Sequence, residues 1–485
     1  MSAATPVIVD DLKKDDPVIV LSKEEVIGLK EEVSVGATSS SSSVESDSDE
    51  DVFPTGLHQR KNKAATSTTT SATQKEEEED KKKDKPIQPK NELTVARYLE
   101  IAAGSLIFFP ALPYLFVQIV GCNLWEFLDQ RVFHAVDFLE RINQWTAPYQ
   151  EWLVANPKDS FVVNYTLWLG GVLPAYFIWE AVAQANAPEF IWWRAVLYNA
   201  VRIGPMYRHF MYVYTLSHKE AHCYGKIFAA PYHHVLQYTY NYYIGFFHGV
   251  LPGPFTQSHI YNHHKYDNNK DDVYSTGSFR RDSFLMFLRY VGVWFQYAFN
   301  LSTAVQFAKE GKTQRVMYSI LGTLQYMAQV ALMAYLVNPM TAFAYILWPF
   351  IEGNILLAAV NYTWHAFIDP NDFDNDYVNS VTILDALNFA LAEEYHVVHH
   401  QYAGVHWSRH AELYEKHHDE YVKSKATVFQ GSNLFVVWGM ILARDYQGLA
   451  DMFVQLEPDK SKHLSQEEVA QLMKERLQCT SWSYN

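Results

Sequence analysis

Cysteine is scarce. The three residues Cys122, Cys223 and Cys479 stand far apart with no CxxC pair, which disfavours a disulfide framework or a thiolate metal site and suits a reducing compartment. Basic charge is also short. With 39 Lys and Arg against 54 Asp and Glu, the formal net charge is −15, so nucleic acid is not an expected partner and the charge runs read as solvated surface. Apolar periodicity is missing from residues 1–92, which carry "SSSSSVESDSDED" and "KEEEEDKKKDK" with few aromatics. Such a segment cannot offset its ordering entropy and is predicted to be a disordered acidic, Ser-rich tail acting as a spacer. It lacks the basic start and apolar run of a signal peptide and is too acidic for a transit peptide, so a cytosolic amino terminus is expected.

What the remainder has is long apolar runs. Ile101–Val120, Phe161–Ala185, Val316–Val337 and Met340–Val360 are each long enough, at about 1.5 Å per residue, to cross a hydrocarbon core of about 30 Å. The last two are separated at Asn338-Pro339, as in a helical hairpin. Phe190–Tyr214 and Phe284–Phe307 contain arginine and read as interfacial or protein-buried helices. "YTYNYYIGFFHGVLPGPF" is too short and too interrupted to cross and reads as a re-entrant or interfacial hairpin. The predicted fold is an all-α membrane protein: about four transmembrane helices, interfacial helices, a cytosolic histidine-rich catalytic cap and the disordered tail. The predicted domains are the tail (1–92), a membrane domain (93–440) and a cytosolic helical extension (441–485). If the tail is cytosolic, two spans return the chain to the cytosol before His218 and the hairpin does so again before His365, so all the histidine clusters can share one face.

Those clusters carry the chemistry. "SHKEAH" places His218 and His222 at i and i+4; "SHIYNHH" supplies His259, His263 and His264; "NYTWH" supplies Asn361 and His365; "EYHVVHH" supplies His396, His399 and His400. Imidazoles one helical turn apart offer two ligands to one ion, and an adjacent His-His pair can divide between two ions. On an α-helix His259 and His263 share a face while His264 points roughly 100° away, so His259 and His263 are expected to aim together. Nine imidazoles suggest two metals and overshoot a zinc hydrolase, which needs three protein ligands. Imidazole alone leaves zinc, copper, iron and nickel open. In "HKEAH" the acid is Glu220, third of five, so the zincin HExxH pattern is absent. The other histidines are read as ordinary surface or core residues, with His233, His234, His248, His406 and His410 left as candidates to support the ligands. Asp271 and Asp272, or Glu393 and Glu394, are candidates to orient imidazoles.

The order HxxxH, HxxxHH, NYxxH, HxxHH resembles the integral-membrane di-iron superfamily of fatty acid desaturases and hydroxylases. In box pattern it is most similar to the alkane monooxygenase branch, through "HHKYDNNKDDVYS" and "NYTWH". The resemblance, over about residues 95–440, implies a site of two iron ions (Fe2+/Fe3+) held by His218, His222, His259, His263, His264, His365, His396, His399 and His400, with Asn361 as a water-mediated ligand. It implies O2-dependent hydroxylation or desaturation of unactivated C–H bonds on a long acyl or alkyl chain. No HPGG-like haem motif is present, so electrons are expected from a separate donor of cytochrome b5, ferredoxin or rubredoxin type. The expected location is multi-pass in the endoplasmic reticulum membrane, with both termini cytosolic. Two competing readings stand beside this one: a carotenoid or sterol oxygenase on the same scaffold, and a histidine-lined metal transporter. Against transport, the boxes fall outside the predicted span centres, whereas transport sites lie near the bilayer midplane.

Overall fold

The computed structural model describes residues 94–386 and 390–482; the tail expected at 1–92 lies outside the described residues. Four helical segments among them are long and apolar enough to cross a membrane: Val95–Phe133, Pro157–Ala185, Thr313–Leu336 and Pro339–Trp364. They coincide with the four runs anticipated above. Local chemistry sets their ends. Thr94 caps the first, its Oγ1 accepting from the Arg97 amide at 3.4 Å. Asn338 caps the last, its Oδ1 accepting from Thr341 N–H at 2.8 Å, with Pro339 in the first turn, where its missing N–H costs nothing.

In the arginine-bearing segments Arg202 and Arg289 are buried in protein. Helix Phe284–Ala298 crosses the first span where both backbones carry glycine. A Cβ on Gly104 would stand 1.8 Å from Leu288 O, and one on Gly292 would stand 2.1 Å from Glu100 O, the small-residue contact typical of membrane helices. At this crossing Arg289 Nε donates to Glu100 Oε2 at 2.6 Å. Helix Trp192–Ile203 brings Arg202 against Glu352 of the fourth span in a fully buried ion pair. Each run is two helices rather than one. The first breaks at Gly204, whose φ of 72° is costly for other residues. The second breaks at Asn300, whose Nδ2 donates to Ser319 O at 3.2 Å. The expected hairpin is a turn of π-helix, Tyr240–Ile244, followed by a 3-10 turn, Gly245–His248.

Beyond the fourth span the chain builds a second core from residues such as Trp364, Phe367, Val381, Phe429, Met473 and Leu477. A short parallel ribbon pairs Thr382–Leu384 with Val428–Gln430. Helix Leu434–Ala443 runs across residue 440 and leads into Tyr446–Met452 and Gln466–Gln478. Residues 441–482 thus pack into the same core as the segment that follows His365.

Candidate metal centre

Helix Arg208–His222 ends in the first box. Its Glu220 is no part of the histidine groups. The carboxylate accepts from Tyr240 N–H (3.1 Å), Asn241 N–H (2.8 Å) and Asn241 Nδ2 (2.9 Å), tying the π turn to the helix. Burial pushes its carboxyl up to about 7 against the pull of these bonds. With Glu220 so occupied, the imidazoles of His218 and His222 remain on the inner side of the helix.

All nine box histidines come together, in two groups. His218, His222, His259, His264 and His399 form the first; His263, His365, His396 and His400 form the second, with ligand atoms within 4.8 Å of one another in each. In the first group the Nε2–Nε2 separations are 2.6 Å for His218–His259, 3.0 Å for His218–His222, 2.9 Å for His259–His264 and 3.2 Å for His264–His399. In the second they are 3.3 Å for His365–His396 and 3.2 Å for His396–His400. Both adjacent pairs divide: His263 and His264 face different groups, as do His399 and His400.

One expectation is corrected. His259 pairs with His264, and it is His263 that turns to the second group. The reason is local backbone: Pro254–His263 is π-helical, and the wider i to i+5 turn aligns residues five apart, whereas the α-helical spacing assumed above aligns residues four apart. On the regular α-helix His396–Gln401 the four-residue rule holds, and His396 faces His400.

The outer nitrogens show which tautomer the inner ones hold. His263 Nδ1 lies 2.7 Å from Asp272 Oδ2, His400 Nδ1 3.0 Å from Asp267 Oδ1, and His218 Nδ1 3.2 Å from Glu393 Oε1. His365 Nδ1 lies 3.1 Å from Asn379 O. A carboxylate or carbonyl accepts only, so Nδ1 carries the proton and Nε2 presents a lone pair inward. Burial, followed by the mutual repulsion of the other imidazolium charges, pushes His222, His259, His264 and His399 well below the usual histidine range. Burial also lowers His365 and His396. His400 moves the other way: burial pulls it down, but the Asp267 carboxylate outweighs that and holds it up. Imidazole nitrogens converging at about 3 Å, the spacing of ligands set at right angles about 2.1 Å from one ion, fit a cation.

Of the acids proposed from sequence, one from each pair orients an imidazole: Asp272 and Glu393. Glu394 instead accepts from the Ala390 amide at 2.7 Å, and it is the main-chain oxygen of Asp271 that is engaged, by Asn262 Nδ2 at 3.0 Å. Asp267 was not anticipated. Its only sequence signal is an acid three residues after His264; the structure places it in a left-handed backbone with φ of 44°. Asn361 sits one turn before His365, its Nδ2 donating to Tyr290 OH at 2.7 Å and Tyr274 O at 3.2 Å. Among the supporting candidates, His410 Nδ1 meets Ala392 O at 3.1 Å and His248 Nε2 meets Arg202 O at 3.1 Å. His406 Nε2 meets Asp159 at 3.0 Å and Lys219 at 2.9 Å.

The family model described as fatty acid desaturase matches residues 190–432, a stretch that holds every histidine of both groups. The chain belongs to the fatty acid desaturase family. Searches of curated proteins and of solved structures give no match. As a fatty acid desaturase family member with four apolar helices, it is an integral membrane oxidoreductase of the desaturase and hydroxylase type. Its two histidine groups are able to hold metal.

Proposed function

We propose that this chain is an O2-dependent membrane di-iron oxidoreductase that hydroxylates or desaturates unactivated C–H bonds on the long acyl or alkyl chains of lipids. The observation that carries this reading is the pair of histidine groups, five and four imidazoles, with acceptors behind His218, His263, His365 and His400 that hold the Nδ1 proton outward. His218, His222, His259, His264 and His399 hold one iron; His263, His365, His396 and His400 hold the other. Asn361 offers Oδ1 for a water-mediated link to the second. The irons, when bound, supply the reduction of O2 and the abstraction of hydrogen.

The chain's own contribution is placement. Asp272, Asp267 and Glu393 keep imidazole protons on Nδ1, so each Nε2 stays available as a ligand. Burial keeps most of these rings neutral and limits water at the groups, while the apolar spans provide a phase into which a long alkyl chain partitions. His365 follows Trp364 directly at the end of the fourth span, which supports delivery of the substrate chain from the bilayer to the cap. Electrons come from a separate donor of cytochrome b5, ferredoxin or rubredoxin type, docking on the cytosolic side of the endoplasmic reticulum membrane, where both termini lie.

Metal content per chain in detergent-purified protein, by inductively coupled plasma mass spectrometry, tests the reading. About two irons are expected, with turnover of acyl-chain substrates that consumes O2. One zinc, or no bound metal, overturns it.

A further inference from the structure

The carboxy-terminal turn reaches the second histidine group through an unbroken run of hydrogen bonds. Helix Gln466–Gln478 ends in carbonyls with specific donors: Arg281 Nη2 to Arg476 O at 2.7 Å, Arg281 N–H to Leu477 O at 2.9 Å, and Ile368 N–H to Arg476 O at 3.2 Å. Arg281 Nε donates at 2.7 Å to Ala366 O, the residue after His365. Arg476 in turn donates to Thr427 Oγ1 at 3.0 Å and Lys425 O at 2.7 Å. Both guanidiniums are almost wholly buried, and these donors go to main-chain and hydroxyl oxygens. A buried charge held in this way is costly, and what it does here is pin the last helical turn to the backbone around His365.

Past the helix, Ser481 N–H donates to Gly277 O at 2.8 Å. The Trp482 indole lies on Gly277 so closely that a Cβ there would come within 2.3 Å of it. The adjoining residue, Thr276, donates through Oγ1 to His365 O at 2.5 Å and through its amide to Asn268 Oδ1 at 2.8 Å. Asn268 N–H donates to Asp272 Oδ2 at 2.9 Å, the same oxygen that receives His263 Nδ1. The run therefore ends on His263 and His365, two of the four members of the second group.

We propose that residues 476–482, with Trp482 seated on Gly277, form a clasp that positions the second histidine group, so that releasing the clasp empties that group and spares the first. Trp482, Gly277 and Arg281 are positioning residues. The inference rests on the reading that the two groups hold metal.

The test uses the full chain in detergent. Trp482→Ala, and Gly277→Ala, which displaces the indole without altering it, are expected to lower metal from about two ions per chain to about one. Trp482→Phe is expected to stay at two. In a His218→Ala/His222→Ala background, which disables the first group, adding Trp482→Ala is expected to remove the remaining ion. Retention of two ions in Trp482→Ala, or of the remaining ion in the combined variant, overturns the clasp. Hydrogen–deuterium exchange over residues 263–277 provides a readout independent of metal. Faster exchange in Trp482→Ala, with the helical circular dichroism of the wild type, supports the clasp, and unchanged exchange overturns it. A metal-free wild type counts against the proposed function, and the clasp is then judged on exchange alone.

Discussion

The Nε2 atoms of His259 and His264, five residues apart, lie 2.9 Å from each other. A π turn makes this possible by holding one more residue than an α turn between positions on the same face. The spacing H-x-x-x-H-H in a π segment is therefore geometrically equivalent, for the outer pair, to H-x-x-H-H in an α-helix. Deleting Tyr261 should convert the turn to α and keep His259 and His264 together. We expect metal content near that of the wild type, whereas deleting Ala221 from the α-helical first box should abolish binding at the first group. Metal analysis of the two deletions checks the contrast.

Asp272 holds His263 in both orientation and tautomer. Asp272→Ala should weaken metal binding at the second group by roughly 10–100-fold, the usual cost of losing a carboxylate behind a ligating imidazole. Chelator competition measures this. Asp267→Ala should act in the same direction through His400.

Glu220 supports the fold of the site and is not a ligand. Glu220→Ala leaves the buried Tyr240 and Asn241 amides without their acceptor, a loss of about 1–3 kcal/mol that should appear as a lowered thermal midpoint. Glu220→Gln, which keeps an acceptor oxygen, should bind the full complement of metal.

Arg202 and Glu352 are both fully buried. Arg202→Met alone leaves a carboxylate uncompensated inside the membrane domain, and a destabilisation of about 3–5 kcal/mol is expected. The double variant Arg202→Met/Glu352→Leu should recover most of it. Thermal unfolding of the single and double variants measures the coupling.

Removing metal should itself destabilise the protein, because the inward lone pairs then face one another at separations as short as 2.6 Å. For a chelatable ion present at 100 times its dissociation constant the loss is about 2.7 kcal/mol. Differential scanning calorimetry before and after chelation, with metal added back, checks the sign and its reversal.

The spans and the nine histidines were legible in the sequence because both signals are local: sustained apolar length, and imidazoles at one-turn spacings. For Arg202 and Arg289 the sequence left interfacial and protein-buried helices both open, and the structure gives each arginine a partner within the protein, as charge inside an apolar run requires. That the adjacent pair of the second box divides was legible, but which member pairs with His259 was not, because that depends on a π turn that residue spacing does not encode. Asp267 and Arg281 were missed for another reason. Asp267 meets a histidine 133 positions away, and Arg281 meets a carbonyl 195 positions away. Nothing in the residues flanking either one announces such a distant partner.

His263–His264 and His399–His400 each carry one member of both groups across a single peptide unit. Consecutive Cα atoms are held about 3.8 Å apart by covalent geometry, so the two histidine groups are joined twice through the backbone itself. The boxes that supply them therefore cannot drift apart as separate bodies, because at two points the main chain of one group is also the main chain of the other.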